Sequence, residues 1–465
     1  MIASNFSSKP RLSALIVTLS AAIALTVPSI AGAHDTFVDH SDGSDNSGQC
    51  RKAHPCATIG RANEKAGSGD TIFVGGDPVA FTTPVSLGHG KSLVHRDFSS
   101  DAAIDTSGSA SIDSGADSRP AITVASNAGT IKGLHINSAT TPLEIKASVT
   151  VTQGVFWEDD ALSGPVIDIA RRAHGRAVIK GNSLADITPV QNVTQIGIRN
   201  RSATAPVIAD NTLDHFTTAI STSGRPTVRG NSIVYTHPGG FTGEEIVASH
   251  GVARIFGNTL STPDTSGNPI TGILLLADAQ LKNNVVLDYD QGIRLKDTPD
   301  PVDLTGDVIR TIAGGGTSGL SAFDTTDSAR VSDPHATNLT IVGSSSAQIS
   351  LDSVRLRLDS SIVGDTPGSF FSNSGGSTCK ITNSRAPTTG NAVNGCSFQT
   401  KKDPLFAADG YHLTAASPLI DKGNPDAPPK RSKDIDGDRR ALDGPDGGTC
   451  HGAPRRDIGA DEYAC

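Results

Sequence analysis

Short stretches with an apolar residue at each end and Gly, Asn or Asp between them recur along this chain. IFGNTL (255–260) aligns with IKGLHI (131–136), VTQGVF (151–156), IKGNSL (179–184), IADNTL (208–213), VRGNSI (228–233), LKNNVV (281–286) and LTGDVI (304–309). Looser copies are ATNLTI (336–341) and the DSSI that ends at Ile362. The third positions fall at 133, 153, 181, 210, 230, 257, 283, 306, 338 and 359, in steps of 20 to 32 residues. The outer residues suit inward-facing strand positions. Those between them tolerate the positive φ of a sharp corner. Asn at equivalent corners predicts a ladder in which each amide bonds the next and the backbone beside it.

A second, weaker register lies between the copies: TQIGI (194–198), TTAI (217–220), GEEI (243–246), TGIL (271–274), QGIR (291–294) and SGL (318–320). Each turn therefore carries at least two short strands separated by corners. Long apolar runs at 3.6 spacing are absent, which excludes a helical solenoid. The pattern predicts a parallel β-helix of about ten to thirteen turns, roughly 50–60 Å long at a strand spacing of about 4.8 Å. Open edges at both ends of such a rod must be covered. HPCATIGRANEKAGSGDTIFV (54–74) predicts a short amphipathic helix, then Gly-Asp, then a strand, which makes an N-terminal cap. The expected organisation is an export signal (1–33), that cap (34–70), the repeats (71–400) and a C-terminal cap or tail (401–465).

Composition supports the regular architecture. Aromatic residues are only 4% of the chain, while glycine is abundant at 49 residues. Bulky side chains are too few for a single three-dimensional core. The first residues predict secretion: Lys9 and Arg11, the apolar LSALIVTLSAAIALTV, and a small-residue cleavage site at Ala31-Gly32-Ala33. The mature chain is expected to begin at His34 with no membrane span. Six cysteines fit an oxidising destination and fall in local couples, Cys50 with Cys56, Cys379 with Cys396 and Cys450 with Cys465, among 15 formal pairings. The net charge of −9 becomes −11 without Lys9 and Arg11. That argues against nucleic acid, and against an acidic polysaccharide unless calcium bridges the two.

The repeats and ends together resemble secreted right-handed parallel β-helix proteins of the pectate-lyase-like superfamily. DPLFAADGYHLTAASPLIDKGNP (403–425) and DIDGDRRAL with RRDIGADEY (434–463) resemble the choice-of-anchor Q tail of many such proteins. The resemblance implies an all-β, right-handed parallel β-helix with a helical N-terminal cap and an irregular C-terminal cap. Such tails are often followed by an anchoring segment; here the chain stops two residues after Tyr463, so free secretion is expected over surface anchoring.

Three stretches are candidates for chemistry. Ser249-His250-Gly251 is followed by Arg294 and Lys296 in GIRLK, and pectin-cleaving hydrolases of the resembled fold carry a His-Gly motif followed by Arg-x-Lys. No Asp pair precedes them at turn-like spacing, although two-carboxylate hydrolysis needs one. WEDD places the only tryptophan, Trp157, beside Glu158, Asp159 and Asp160, with Arg171, Arg172 and His174 at about the next turn. An aromatic face stacks on sugars, carboxylates act as a base or hold calcium, and an arginine takes a proton in a lyase or holds a substrate carboxylate. The plain alternative is a solvated corner. Asp434, Asp436 and Asp438 alternate as calcium-loop ligands do, but Asp and Gly are also default turn residues. Calcium is thus the one cofactor with any support.

The sequence favours a secreted or surface-associated monomeric rod that binds or displays, on glycan or envelope material, without a clear catalytic motif. The alternative is a polysaccharide lyase or glycoside hydrolase working in a lateral groove. No Walker loop, Rossmann fingerprint, nucleophile elbow or HExxH supports nucleotide, esterase or zinc-protease chemistry.

Overall fold

Each repeated stretch is a corner between two strands. In the computed structural model φ is positive at residues 133, 153, 181, 210, 230, 257, 283, 306 and 338, as the alignment marks them. The next corner is Ser360, with φ 49°, one residue beyond the expected 359, and Asn383 adds a further one. The pairing of Thr340 with Ile362 and of Ile341 with Val363 shows that the copy is LDSSIV, with Val363 as its inward residue.

The structure describes residues 34–46, 48–75, 81–96, 111–113, 119–137, 141–158, 164–186, 195–236, 243–263, 270–298, 302–311, 318–324, 333–343, 347–364, 371–374, 376–385, 400–425, 433–440 and 456–463. Among them a rung carries three strands, in keeping with the expected minimum of two. Ile196–Asn200 lies on a first face, Val207–Ala209 on a second and Thr212–Asp214 on a third. Each pairs in parallel with its counterpart one rung on. The third face alone has 11 strands, which at about 4.8 Å each makes a parallel β-helix roughly 50 Å long.

Side chains of like size stack in columns. Ile167, Ile198, Ile220, Ile246, Ile273, Ile293, Leu320 and Ile349 are in register on the first face and wholly buried. Burying each apolar side chain contributes about 1.5–3 kcal/mol, and this repetition is how a chain so poor in aromatics fills its interior. Helix Ile59–Lys65 starts at Thr58, whose side chain accepts from Arg61 N, and buries Ile59 and Ala62 as the cap predicts. A strand precedes it: Thr36–Asp39 pairs in parallel with Thr71–Gly75. Cys50 and Cys56 form a disulfide beside this first strand. Cys379 is also disulfide-bonded; Cys396, Cys450 and Cys465 lie outside the described residues. No helix among the described residues is long and apolar enough to cross a membrane.

The residue after each central corner builds the expected ladder. Asn182, Asn211, Asn231, Asn258 and Asn284 are buried. Asn231 Nδ2 donates to Asn258 Oδ1 at 2.9 Å and to Ile208 O at 3.1 Å, while Asn231 N donates to the same Oδ1 at 3.0 Å. The scheme repeats from Asn211 to Asn231 and from Asn258 to Asn284. It ends on Asp307, whose Oδ1 accepts from Asn284 N and Nδ2 and whose Oδ2 accepts from Thr305 N. Serine replaces asparagine further on, with Ser361 Oγ accepting from Leu339 N and Ser384 Oγ from Ser361 N.

The C-terminal tail lies along the side of the rod, over the later corners. Asn283 Nδ2 donates to Lys433 O, Asn338 Nδ2 to Asp457 O, Ala460 N to Thr340 Oγ1, and Gly459 N to Ser360 O. Ile362 joins Leu413, Leu419, Ile420 and Ile458 in a small second core. At Gly306 a Cβ would meet the Arg440 guanidinium at 2.4 Å, so glycine there both turns the corner and admits the tail.

Two predictions follow from the ladder. Asn258→Ala strands the Asn231 amide donors and the Val228 carbonyl in the interior. At about 1–3 kcal/mol per unpaired buried group, it should cost several kcal/mol in urea unfolding, whereas the adjacent exposed Thr259→Ala should stay within about 0.5 kcal/mol. Burial pushes the Asp307 carboxyl from 3.8 to about 7. The unfolded chain sheds that proton first, so the contribution of Asp307 to stability is greatest below pH 4 and is lost as pH rises towards 7. The urea midpoint should therefore decline more steeply over that interval in the wild type than in Asp307→Asn.

Candidate functional site: an arginine-lined corner

Of the two corners joining described strands within a rung, the ladder corner joins second face to third. The other, between first and second faces, gathers exposed cations. After Pro165–Ile169 the chain passes Arg171, Arg172, His174 and Arg176 before entering Ala177–Lys180. Arg201 follows Ile196–Asn200 one rung later, and Arg225 sits between Thr218–Gly224 and Thr227–Arg229. On the next rung both faces belong to one strand, Gly243–Phe256, with a register shift opposite Thr222 and Ser223. His250 and Arg254 project from it, both exposed.

Register makes these residues a column. Val178 pairs with Val207, Val207 with Thr227, and Thr227 with Arg254. Two residues upstream of these positions come Arg176, Ala205, Arg225 and Val252. Together with Gly175, Thr227 and Arg254 they line an open depression of about 730 Å³. Ala170, Arg171, Arg172 and Arg201 line a neighbouring one of about 510 Å³. The small residues leave room and the guanidiniums furnish its rims.

Few of these charges are spent. Asp168, buried on the first face, takes Arg199 Nε at 3.1 Å and also pairs with Arg201. Glu144 pairs with Lys146 at 2.9 Å. Among the described residues no carboxylate pairs with Arg171, Arg172, Arg176, Arg225 or Arg254. The corner therefore concentrates positive charge within a chain of net charge −9. Its planar donors suit carboxylate or sulfate groups held two at a time.

The candidates from sequence fall in different places. Arg172 and His174 are on this corner. Trp157 and Glu158 end a third-face strand, Val155–Glu158, whereas Arg172 stands on the corner between the first and second faces. Asp159 and Asp160 lie outside the described residues. His250 is on the corner, with Nδ1 3.2 Å from Ser249 Oγ. Arg294 is two rungs on, through Val247 and Leu274, and lies over the Phe323 ring at 4.8 Å. Lys296 ends the same strand. No pair of free carboxylates flanks His250 or Arg172 among the described residues.

The aspartates considered for calcium do not gather as one ligand set. Asp434 is buried, its Oδ1 accepting from Asp436 N and Asp438 N and its Oδ2 from Glu462 N. It organises a turn, while Asp436 and Asp438 are exposed. The arginine column itself was missed, though its signal was present: Arg176 and Arg225 each stand five residues before a corner position, 181 and 230.

No protein-family model matches the chain, and no curated protein does. Among solved structures, the crystal structure of pectate lyase Pel9A is similar with a TM-score of 0.35 and 11% identity, over 93% of this chain and 97% of that one.

Proposed function

We propose that this chain is a secreted, non-catalytic β-helix that binds an extended acidic polysaccharide along the arginine corner. The observation that carries the reading is the set of guanidiniums with no carboxylate partner among the described residues: Arg171, Arg172 and Arg176 on one rung, and Arg225 and Arg254 on the second and third rungs beyond it. A polymer following the rod axis meets a new rung about every 4.8 Å, and three of the four rungs between Arg171 and Arg254 offer it such a guanidinium. The whole-chain charge, which argued against an acidic polysaccharide, averages over faces that such a polymer would not touch. The residues lining the larger depression include no aromatic side chain, so bases would lack the stacking platform that single-stranded nucleic acid needs. Two-carboxylate hydrolysis would need a free carboxylate pair at the corner, and Asp168 and Glu144 both pair with cations; a lyase using one of the arginines as its base is the alternative that the test below separates.

Secretion agrees with one further contact. His34 N lies 2.9 Å from Asp70 Oδ1. Cleavage after Ala33 would turn that amide into an ammonium facing a carboxylate. N-terminal sequencing of the exported protein should return His34.

The test is affinity electrophoresis of the mature chain in gels carrying polygalacturonate, a sulfated glycan or neutral dextran. Retardation by the acidic polymers alone, weakening as salt rises, is expected. The triple replacement Arg176→Ala, Arg225→Ala and Arg254→Ala should weaken it at least roughly 10-fold with an unchanged melting curve. Equal mobility in every gel would remove the reading. Release of reducing ends or unsaturated sugars would replace it with catalysis.

A further inference from the structure

We infer that His412, Asp436 and Asp461 form a binding site for a first-row divalent cation of the Zn²⁺ type, in the C-terminal tail and separate from the arginine corner. One ligand atom from each residue lies within 4.8 Å of the others. They come from three parts of the tail that the sequence keeps apart: the DGYHL turn, the DIDGD turn and the DIGADEY segment. The two carboxylates alone would be an ordinary acidic turn. The imidazole makes the group a ligand set.

The ring is held as a metal-binding histidine is held. Asp409 Oδ1 accepts from Tyr411 N and His412 N at 3.1 Å each, which fixes its carboxylate. Its Oδ2 then engages His412 Nδ1. A carboxylate on one ring nitrogen sets the tautomer and leaves the other nitrogen as the ligand. That other nitrogen, Nε2, is sealed from solvent and makes no hydrogen bond. Asp436 Oδ2 stands 2.9 Å from it, outside the direction in which an N–H would point. Asp461 is buried, and Leu413 N donates to its Oδ2 at 2.9 Å, pinning the carboxylate in place. Arg310 reaches the same turn but directs its guanidinium to Asp288 and to the Asp409 carbonyl.

One imidazole nitrogen with two carboxylate oxygens suits Zn²⁺ and its neighbours, whereas Ca²⁺ takes six to eight oxygens. The ion would tie the three tail segments to one another. The rival arrangement is an imidazolium between Asp409 and Asp436 with no ion at all.

The full mature chain, stripped with EDTA and dialysed, should be titrated calorimetrically with Zn²⁺ and separately with Ca²⁺ at pH 7. One Zn²⁺ per chain is expected, with a rise in melting temperature reversed by EDTA. Asp436 is exposed, and none of the tail's backbone hydrogen bonds given above uses its carboxylate. Asp436→Asn should therefore melt as the wild type does in EDTA and bind Zn²⁺ at least roughly 10-fold more weakly. His412→Gln should abolish the binding. Absence of Zn²⁺ binding, Zn²⁺ affinity unchanged in both variants, or preference for Ca²⁺ would each overturn the inference.

Discussion

The buried amide ladder is the constraint on which the rest of this molecule depends. An inward amide is expensive unless both its ends are satisfied. Here that happens because the next rung presents an acceptor at the same corner, as Asn231 does for Asn211, Asn258 for Asn231 and Asp307 for Asn284. The ladder therefore specifies register as well as adding hydrogen bonds. A slip of one residue would send the amide outwards and an apolar neighbour to solvent. Apolar columns alone tolerate exchange among Ile, Leu and Val; the ladder position admits only residues that offer an inward acceptor, Asn, Asp or Ser.

Fixed register turns sequence spacing into columns. Arg176 and Arg225 stand at the same offset from their corners, so they share one vertical file although 49 residues separate them in sequence. A chain with excess acid can in this way present a cationic surface on one corner. Its acids fall elsewhere, at turns such as Asp434 or paired on the first face as Asp168 is. Net charge describes long-range attraction and solubility. On a solenoid it says little about any one face.

What could be foretold follows the same division. Corner positions, the helical cap at Ile59–Lys65 and the amide ladder were legible because each is local or strictly repeated. The slip from 359 to 360 came from judging a degenerate copy by its Asp and Ser, since only pairing with Thr340 and Ile341 reveals Val363 as the inward residue. The third strand per rung was hidden because the copies span a corner, so their last apolar residue already belongs to another face. Whether Trp157 and Arg172 share a groove could not be read from turn spacing, which carries no information about which side of the rod a residue occupies. The meeting of His412 with Asp436 and Asp461 was out of reach for a plainer reason. It arises from the path of an irregular tail, which no periodicity encodes.

That tail has a mechanical consequence. It is bonded sideways to corners at Asn283, Asn338 and Ser360, which belong to different rungs. A solenoid pulled from its end ordinarily peels one rung at a time, each bond breaking in turn like a zip. Here a force along the axis reaches several attachments together and loads them in shear. The strap works as a splint: it shares the load among rungs and blocks fraying from the end the chain reaches last.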